Sequence, residues 1–218
     1  RAVVWVNDPA DGLWLWDFGL RTLAPFTLDP GEEQHPVWSP DGKRIASSSS
    51  RSGVRNIWWQ FADGSGAAEQ LSPSVQNQFA TGFTPGGAAI VFFGFTSTGV
   101  GRDLSKLSVG ATSQVTTVLQ TPFDEREAVV SPDGHWLAYE SNSSGRYEVY
   151  VRPFPKVDGG ERRISTAGGT RALWAPNGKE LFYVGADSRL MQVTVVATGS
   201  VWSSRTPTRL FEWPYYVG

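Results

Sequence analysis

HPVWSPDGKRIASSSSRSG, residues 35–53, places a Ser-Pro-Asp-Gly corner between two runs patterned for strands. Pro40 pre-sets φ for the first corner of a type I turn, and Gly42 supplies the position where φ must be positive. PVW before the corner and KRIASSS after it therefore read as two arms of a hairpin. Nearly the same text returns as AVVSPDGHWLAYESNSSG (128–145) and ALWAPNGKELFYVG (172–185), with a fainter copy at Thr84-Pro85-Gly86-Gly87. The prolines fall at 40, 85, 132 and 176, which are 45, 47 and 44 residues apart. A period in the forties, made of short strands without helical spacing, is the signature of propeller blades.

Each unit reads as four antiparallel strands, so the fold class is all-β. Strand A is PVW or its counterpart, and strand B follows the turn. Strand C is NIWWQFA (56–62), YEVYVRPF (147–154) or LMQVTV (190–195), and strand D is AEQLS (68–72), ERRIST (161–166) or TRLFEW (208–213). Residues 2–6, 13–18 and 21–27 supply strands B, C and D of a blade without strand A, and PYYVG (214–218) reads as a strand A without its blade. Sharing one blade between the termini gives five blades in a single domain over 1–218: 1–34 with 213–218, then 35–78, 79–126, 127–170 and 171–212. The same text also fits part of a propeller with six or more blades. Small residues on the crowded inner strand (Ala80, Gly82, Ala128, Ala172) and aromatics further out (Trp58, Trp59, Phe61, Tyr147, Tyr150, Phe154) give the taper a blade needs.

Composition excludes several classes. Hydrophobic residues make up 40% and charged residues 18%, with a net charge of −2, so nothing general attracts nucleic acid or anionic lipid. Zero cysteines exclude disulfides and thiolate metal sites. Residues 71–101 carry no charge, but their apolar kernel AAIVFFGF (88–95) is far shorter than the ~20 residues of a spanning helix. It reads as a buried strand, with no membrane insertion by this segment. Arg1 follows no leader, so any signal or anchor is expected outside these residues.

The repeats resemble the WD40-like propeller repeat of the TolB family, whose pattern runs roughly W-S-P-D-G-K-x-I-A-F-x-S-x-R-x-G. LQTPFDEREAVVSPDGHWLAYESNSSGRYEVYVRPFP (119–155) is most similar to propellers appended to bacterial membrane-anchored Ser/Thr protein kinases. The chain departs from the pattern at Thr84-Pro85-Gly86-Gly87 and at Ser47 and Ser105, where the family carries aromatics. The resemblance implies a non-catalytic binding, scaffold or sensor module. It also implies a location outside the cytoplasm, periplasmic or extracellular, tethered through a segment beyond these residues. The other reading is a hydrolase, either on the loop face or through a domain not in the chain.

The unit places its A–B and C–D turns on one face and its longer, variable B–C and D–A loops on the other. Variable loops on a rigid scaffold are where binding usually resides. Arg55, Arg102, Arg146 and Arg189 recur near the ends of the B–C loops, while His35, Phe79, Arg126, Glu127 and Arg171 gather around the D–A loops. Together they are the expected site for a protein or small-molecule partner at the channel mouth of a monomeric domain. The competing reading pairs the arginines with neighbouring acids such as Asp103, Glu148 and Asp187. No catalytic residue, metal ligand or cofactor is expected, since the only histidines are His35 and His135. G-x-S-x-G, H-E-x-x-H and the kinase motifs are all missing. Glycoside hydrolysis would need two carboxylates across the channel. The strand A segments as read contain no acid, which leaves Glu125, Glu127 and Glu140 as loop candidates. Asp41 and Asp133 are expected to serve the turn.

Overall fold

The computed structural model describes residues 1–6, 12–27, 31–95, 101–110, 112–198 and 201–212. Among these residues all regular structure is strand, with no helix. The first sheet holds β1 (Ala2–Val6), β2 (Gly12–Asp17) and β3 (Thr22–Pro25). The second runs β4 (Glu33–Trp38), β5 (Arg44–Ser49), β6 (Asn56–Phe61) and β7 (Glu69–Ser72). The third runs β8 (Gln78–Phe83), β9 (Ala89–Phe95), β10 (Arg102–Ser108) and β11 (Val115–Leu119). In the fourth, β12 (Glu125–Val130), β13 (Trp136–Ser141) and β14 (Glu148–Pro153) end on the two-residue β15 (Arg162–Arg163). Each sheet is an antiparallel meander, as a propeller blade is.

The fifth sheet differs from the sequence reading. After β16 (Gly169–Trp174) and β17 (Glu180–Gly185), β18 spans Arg189–Thr198 instead of stopping at 195. Its first half pairs with β20 (Thr208–Glu212), as expected of strand D. Its second half pairs with an additional strand, β19 (Val201–Ser204), whose Trp202 is buried against Trp136. The expected strand A at 214–218 lies outside the described residues.

The chain divides into two compact units, residues 1–95 with 105–116 and residues 96–104 with 117–218. In the first, Leu13, Ile45 and Ala62 form one buried cluster, and Ala46, Ile57, Ala80, Ile90, Phe92 and Leu107 another. In the second, residues of the fourth and fifth sheets interleave, with Trp136, Trp174 and Trp202 at 1%, 7% and 5% exposure. These tryptophans are core, as the repeat taper anticipates.

The corner that marks each repeat is built from backbone geometry. Gly42, Gly87, Gly134 and Gly178 have φ of 68°, 71°, 76° and 69°. Gly42 N–H donates to Ser39 O at 2.9 Å and Gly134 N–H to Ser131 O at 2.8 Å. Asp41 Oδ1 accepts from the Ser39 hydroxyl at 2.6 Å and from Lys43 N–H at 3.0 Å. Asp133 repeats the pattern with Ser131 and His135 N–H. The Ser39 hydroxyl, with Lys43 N–H, holds the Asp41 carboxyl below its ordinary range. Burial would raise Asp133, but its bonds from Ser131 and His135 outweigh that and lower it. Both aspartates are turn residues.

Every inner strand of the second to fifth sheets carries a β-bulge: between Gln34 and Val37, Ala80 and Gly82, Arg126 and Val129, and Thr170 and Leu173. The ladder resumes beyond the bulge, so Glu33 pairs with Ser49 and Glu125 with Ser141. The inner strands therefore begin earlier than PVW and AVV and do contain acids, namely Glu33, Glu125 and Glu127. Glu140 belongs to β13 rather than to a loop.

The turn geometry predicts a clean conformational cost. Nothing lies within 4 Å of a Cβ built on Gly42, so Gly42→Ala should destabilise only through its left-handed φ, by about 1–2 kcal/mol. Asp41→Ala should also lower stability, through the lost hydrogen bonds from Ser39 and Lys43. Urea unfolding should show both as lower midpoints at unchanged slope; wild-type midpoints would remove the turn from the stability of the fold.

Candidate functional site

Three bulges hold a non-glycine residue in the left-handed region: His35 (φ 52°), Glu127 (φ 50°) and Arg171 (φ 56°). Each lies seven residues before its turn glycine, and the corresponding residue of the third sheet is Ala80. All belong to strands, not to the D–A loops, as do Phe79 and Arg126. Sequence pattern gave no sign of the bulge, because an extra residue in one strand only looks like a broken alternation.

In the first unit His35 meets an aromatic patch. Its ring lies edge-on to Phe79 at 5.5 Å and to Phe93 at 5.6 Å, and the two phenylalanines stack at 4.9 Å. Arg55 lies over Phe79 at 5.6 Å. Its guanidinium donates to Glu32, and its backbone N–H to Asn77 Oδ1 at 3.0 Å. Phe93 and Phe95 were missed as site residues because AAIVFFGF reads as uniform core. Phe93 is buried, but Phe95 is 46% exposed beside Phe79.

In the second unit Glu140 is the hub. It is 1% exposed; Oε2 accepts from Arg126 Nε at 2.8 Å and Oε1 from the backbone N–H of Arg171 at 2.6 Å. The Arg126 guanidinium also covers the Tyr147 ring at 3.8 Å. Tyr147 donates its hydroxyl to Asp124, which also takes both arms of Arg102, Nε at 2.7 Å. Burial raises the Glu140 carboxyl above its ordinary range, with the Arg171 N–H and Arg126 offsetting part of the rise. Burial raises Glu127 too, against the pull of Arg126, Arg171 and Arg102. Asp124 runs the other way: burial would raise it, but Arg102 and Tyr147 outweigh that and lower it.

The four repeated arginines all have acid partners. Arg55 takes Glu32, Arg102 takes Asp124, Arg146 stands 3.8 Å from Glu148 and Arg189 donates to Asp187 at 2.8 Å. Arg102 thus passes over its sequence neighbour Asp103 for an acid at the start of the next sheet. Asp103 is buried and accepts from Gln120 instead. Among the described residues no group of three or more His, Cys, Asp or Glu is placed to hold a metal.

Glu125, also 1% exposed, accepts from Thr121 and Ser141 but has no cationic partner. Burial raises its carboxyl, and the charges of Asp103 and Asp124 raise it further. An acid with a raised folded pKa stabilises fully below its unfolded value and loses that stability as pH climbs through the folded value. Glu125→Gln should therefore raise the melting temperature at pH 7 by about 2–4 °C, roughly 1 kcal/mol for a chain of this size. The gain should vanish below about pH 4. Scanning calorimetry at both pH values checks this, and a pH-independent loss would refute it.

Comparison with known proteins supports the fold and leaves the activity open. No family model and no curated protein sequence matches the chain. Solved structures do. TolB from Acinetobacter baumannii superposes with TM-score 0.69 at 22% identity, over 92% of this chain and 50% of that one. The chain thus spans about half the length of that TolB. A putative TolB from Agrobacterium tumefaciens gives 0.57 at 16% identity, over 90% and 87%. The Cps50 (Swd1) β-propeller domain of Myceliophteria thermophila gives 0.64 at 12%, over 91% and 65%. Five antiparallel meander sheets, a Pro-Gly corner repeated every forty-odd residues and these superpositions agree: the chain has the fold of a TolB-like, WD40-like β-propeller.

Proposed function

We propose that the protein is a non-catalytic binding module, acting outside the cytoplasm, which contacts a protein or small-ligand partner through its inner-strand bulges. The observation that carries this reading is the residue type at the bulge. A left-handed conformation costs a non-glycine residue roughly 1–2 kcal/mol, and glycine would adopt it freely. At the corners, where only backbone shape matters, the chain does use glycine. At the bulges it keeps His35, Glu127 and Arg171, three different polar side chains, in a conformation each pays to hold. Strain retained in this way is characteristic of functional positions, and bulges commonly re-aim a side chain toward a site.

Phe79 in the first unit and Arg126 in the second each precede a bulge and add there an aromatic ring and a stacked guanidinium, residue types enriched where partners bind. Arg126 and Arg171 differ as tests. Truncating Arg126 leaves buried Glu140 without its cation and costs stability as well as binding. Arg171 is exposed, and its link to Glu140 runs through its backbone N–H, which substitution preserves.

Arg171→Gly and Glu127→Gly should leave the melting temperature within about 2 °C, since relief of φ offsets the added chain entropy of glycine. Each should weaken binding of a partner captured from the cell envelope by roughly 1–3 kcal/mol, about five- to 150-fold. Unchanged affinity in both variants, or a hydrogen-exchange footprint centred on the Ser-Pro-Asp-Gly corners, would defeat the proposal.

A further inference from the structure

The repeats allow the same place to be compared in successive blades, and one place is polar, buried and incompletely bonded. It lies where the start of strand C in one blade meets the first residue of the next inner strand. Those first residues are Glu33, Gln78, Glu125 and Gly169. The three with side chains are 1%, 5% and 1% exposed. Each satisfies one end of its side chain: Glu33 Oε1 takes Arg51, Gln78 Nε2 donates to Ser72, and Glu125 Oε1 takes Thr121 and Ser141. In each the other oxygen, Glu33 Oε2, Gln78 Oε1 or Glu125 Oε2, has no hydrogen-bond partner.

Two of these seams also hold a second buried orphan. Backbone contact joins Arg55 to the Gln78 strand, with Gln78 N–H donating to Arg55 O at 2.8 Å, and Arg55 Nε is buried without a partner. Asp103, the second residue of β10, leaves Oδ1 unpartnered; Thr121 joins it to Glu125, bonding the Asp103 carboxyl through its backbone N–H and Glu125 Oε1 through its hydroxyl at 2.6 Å. The fifth blade supplies the contrast. There Glu148 accepts from Ser165 and from Gly168 N–H, position 169 has no side chain, and neither residue leaves an orphan. Buried polar atoms are almost always satisfied, by protein or by ordered water. A group that recurs unsatisfied in equivalent seams, and disappears where protein atoms fill the same place, marks a site for a small partner.

We infer that each of the two seams holds one buried water molecule, bridging Arg55 Nε to Gln78 Oε1 in one and Asp103 Oδ1 to Glu125 Oε2 in the other. Water fits both with one chemistry. Between Arg55 and Gln78 it accepts once and donates once; between the two carboxyls it donates both hydrogens. A cation would suit the second seam but would be repelled by the guanidinium of the first. Each bridge ties strand C of one blade to strand A of the next, beside the bulge.

Two measurements decide this. A crystal structure at about 1.5 Å should show a solvent peak within hydrogen-bonding distance of both orphans in each seam and none between Glu148 and Gly169. Direct side-chain pairing, an empty seam, or a peak with several oxygens at 2.0–2.6 Å, the spacing of a bound cation, would overturn it. The second is a double-mutant cycle on Asp103→Ala and Glu125→Ala. A bridging water is lost once, so the double variant should melt at least about 2 °C above the sum of the single losses. Bare repulsion between the carboxyls gives the opposite sign, since either single change already relieves it. A double variant that melts at or below the additive value therefore refutes the bridge.

Discussion

The inner-strand bulge is the constraint on which the rest of the blade depends. A strand in that position must keep its own ladder and also meet the preceding blade. Inserting one residue frees a backbone N–H from the ladder, and that N–H must find an acceptor. In the third and fifth sheets it finds one on strand B of the preceding blade, at the residue six positions after the turn glycine. Ala80 N–H donates to Ser48 Oγ at 2.8 Å, and Arg171 N–H donates to Glu140 Oε1 at 2.6 Å. These are the same bond, made once in each compact unit by different side chains. In the fifth sheet the next residue, Ala172, is then pressed into the core shared with the fourth sheet, where a small side chain is buried.

This constraint also arranges the charges. Because the bulge N–H needs a strong acceptor, a carboxylate at position 140 is buried at the seam, where it must have a cation. Arg126 supplies it and is thereby locked against Tyr147. A side chain that would roam on an open surface is held in place by that ion pair and ring contact. Pre-ordering of that kind would serve the proposed binding surface, since less entropy is lost on association. The net charge of −2 is uninformative here, because acids such as Glu140, Glu148 and Glu125 lie beneath the surface that the arginines present.

The blade was legible because its corner depends on local chemistry. Pro40, Asp41 and Gly42 each act on backbone within three residues, so a four-letter motif reports their geometry directly. The bulge is not local in that sense: nothing in EQHPVW or EREAVV separates the extra residue from an ordinary change of phase. The inner strands were accordingly read too short, and the acids Glu33, Glu125 and Glu127 fell outside them. Of the acids named as partners, Glu148 and Asp187 do take Arg146 and Arg189, and only Asp103 is passed over. Asp103 is adjacent to Arg102 in sequence, but on a strand adjacent side chains point to opposite faces, so the pair is made with Asp124, twenty-two residues on. The β18–β19 hairpin did have a sequence signal, the small polar run Thr-Gly-Ser at 198–200. It was overlooked because four strands had already completed the unit.

The seams show how a repeat drifts without losing its fold. Where strand C begins Arg102-Asp103, with a short acid second, the first residue of the next inner strand is the long Glu125. Where it opens with the longer Glu148, the facing position is Gly169. The two choices are coupled by space: a Cβ on Gly169 would come within 2.5 Å of Ser165 Oγ, the hydroxyl that Glu148 needs as its donor. Restoring a side chain at 169 would displace that hydroxyl and strand Glu148 as a buried charge. The seam thus conserves volume and hydrogen-bond capacity jointly, rather than any residue, and its chemistry can be read only when both sides are taken together.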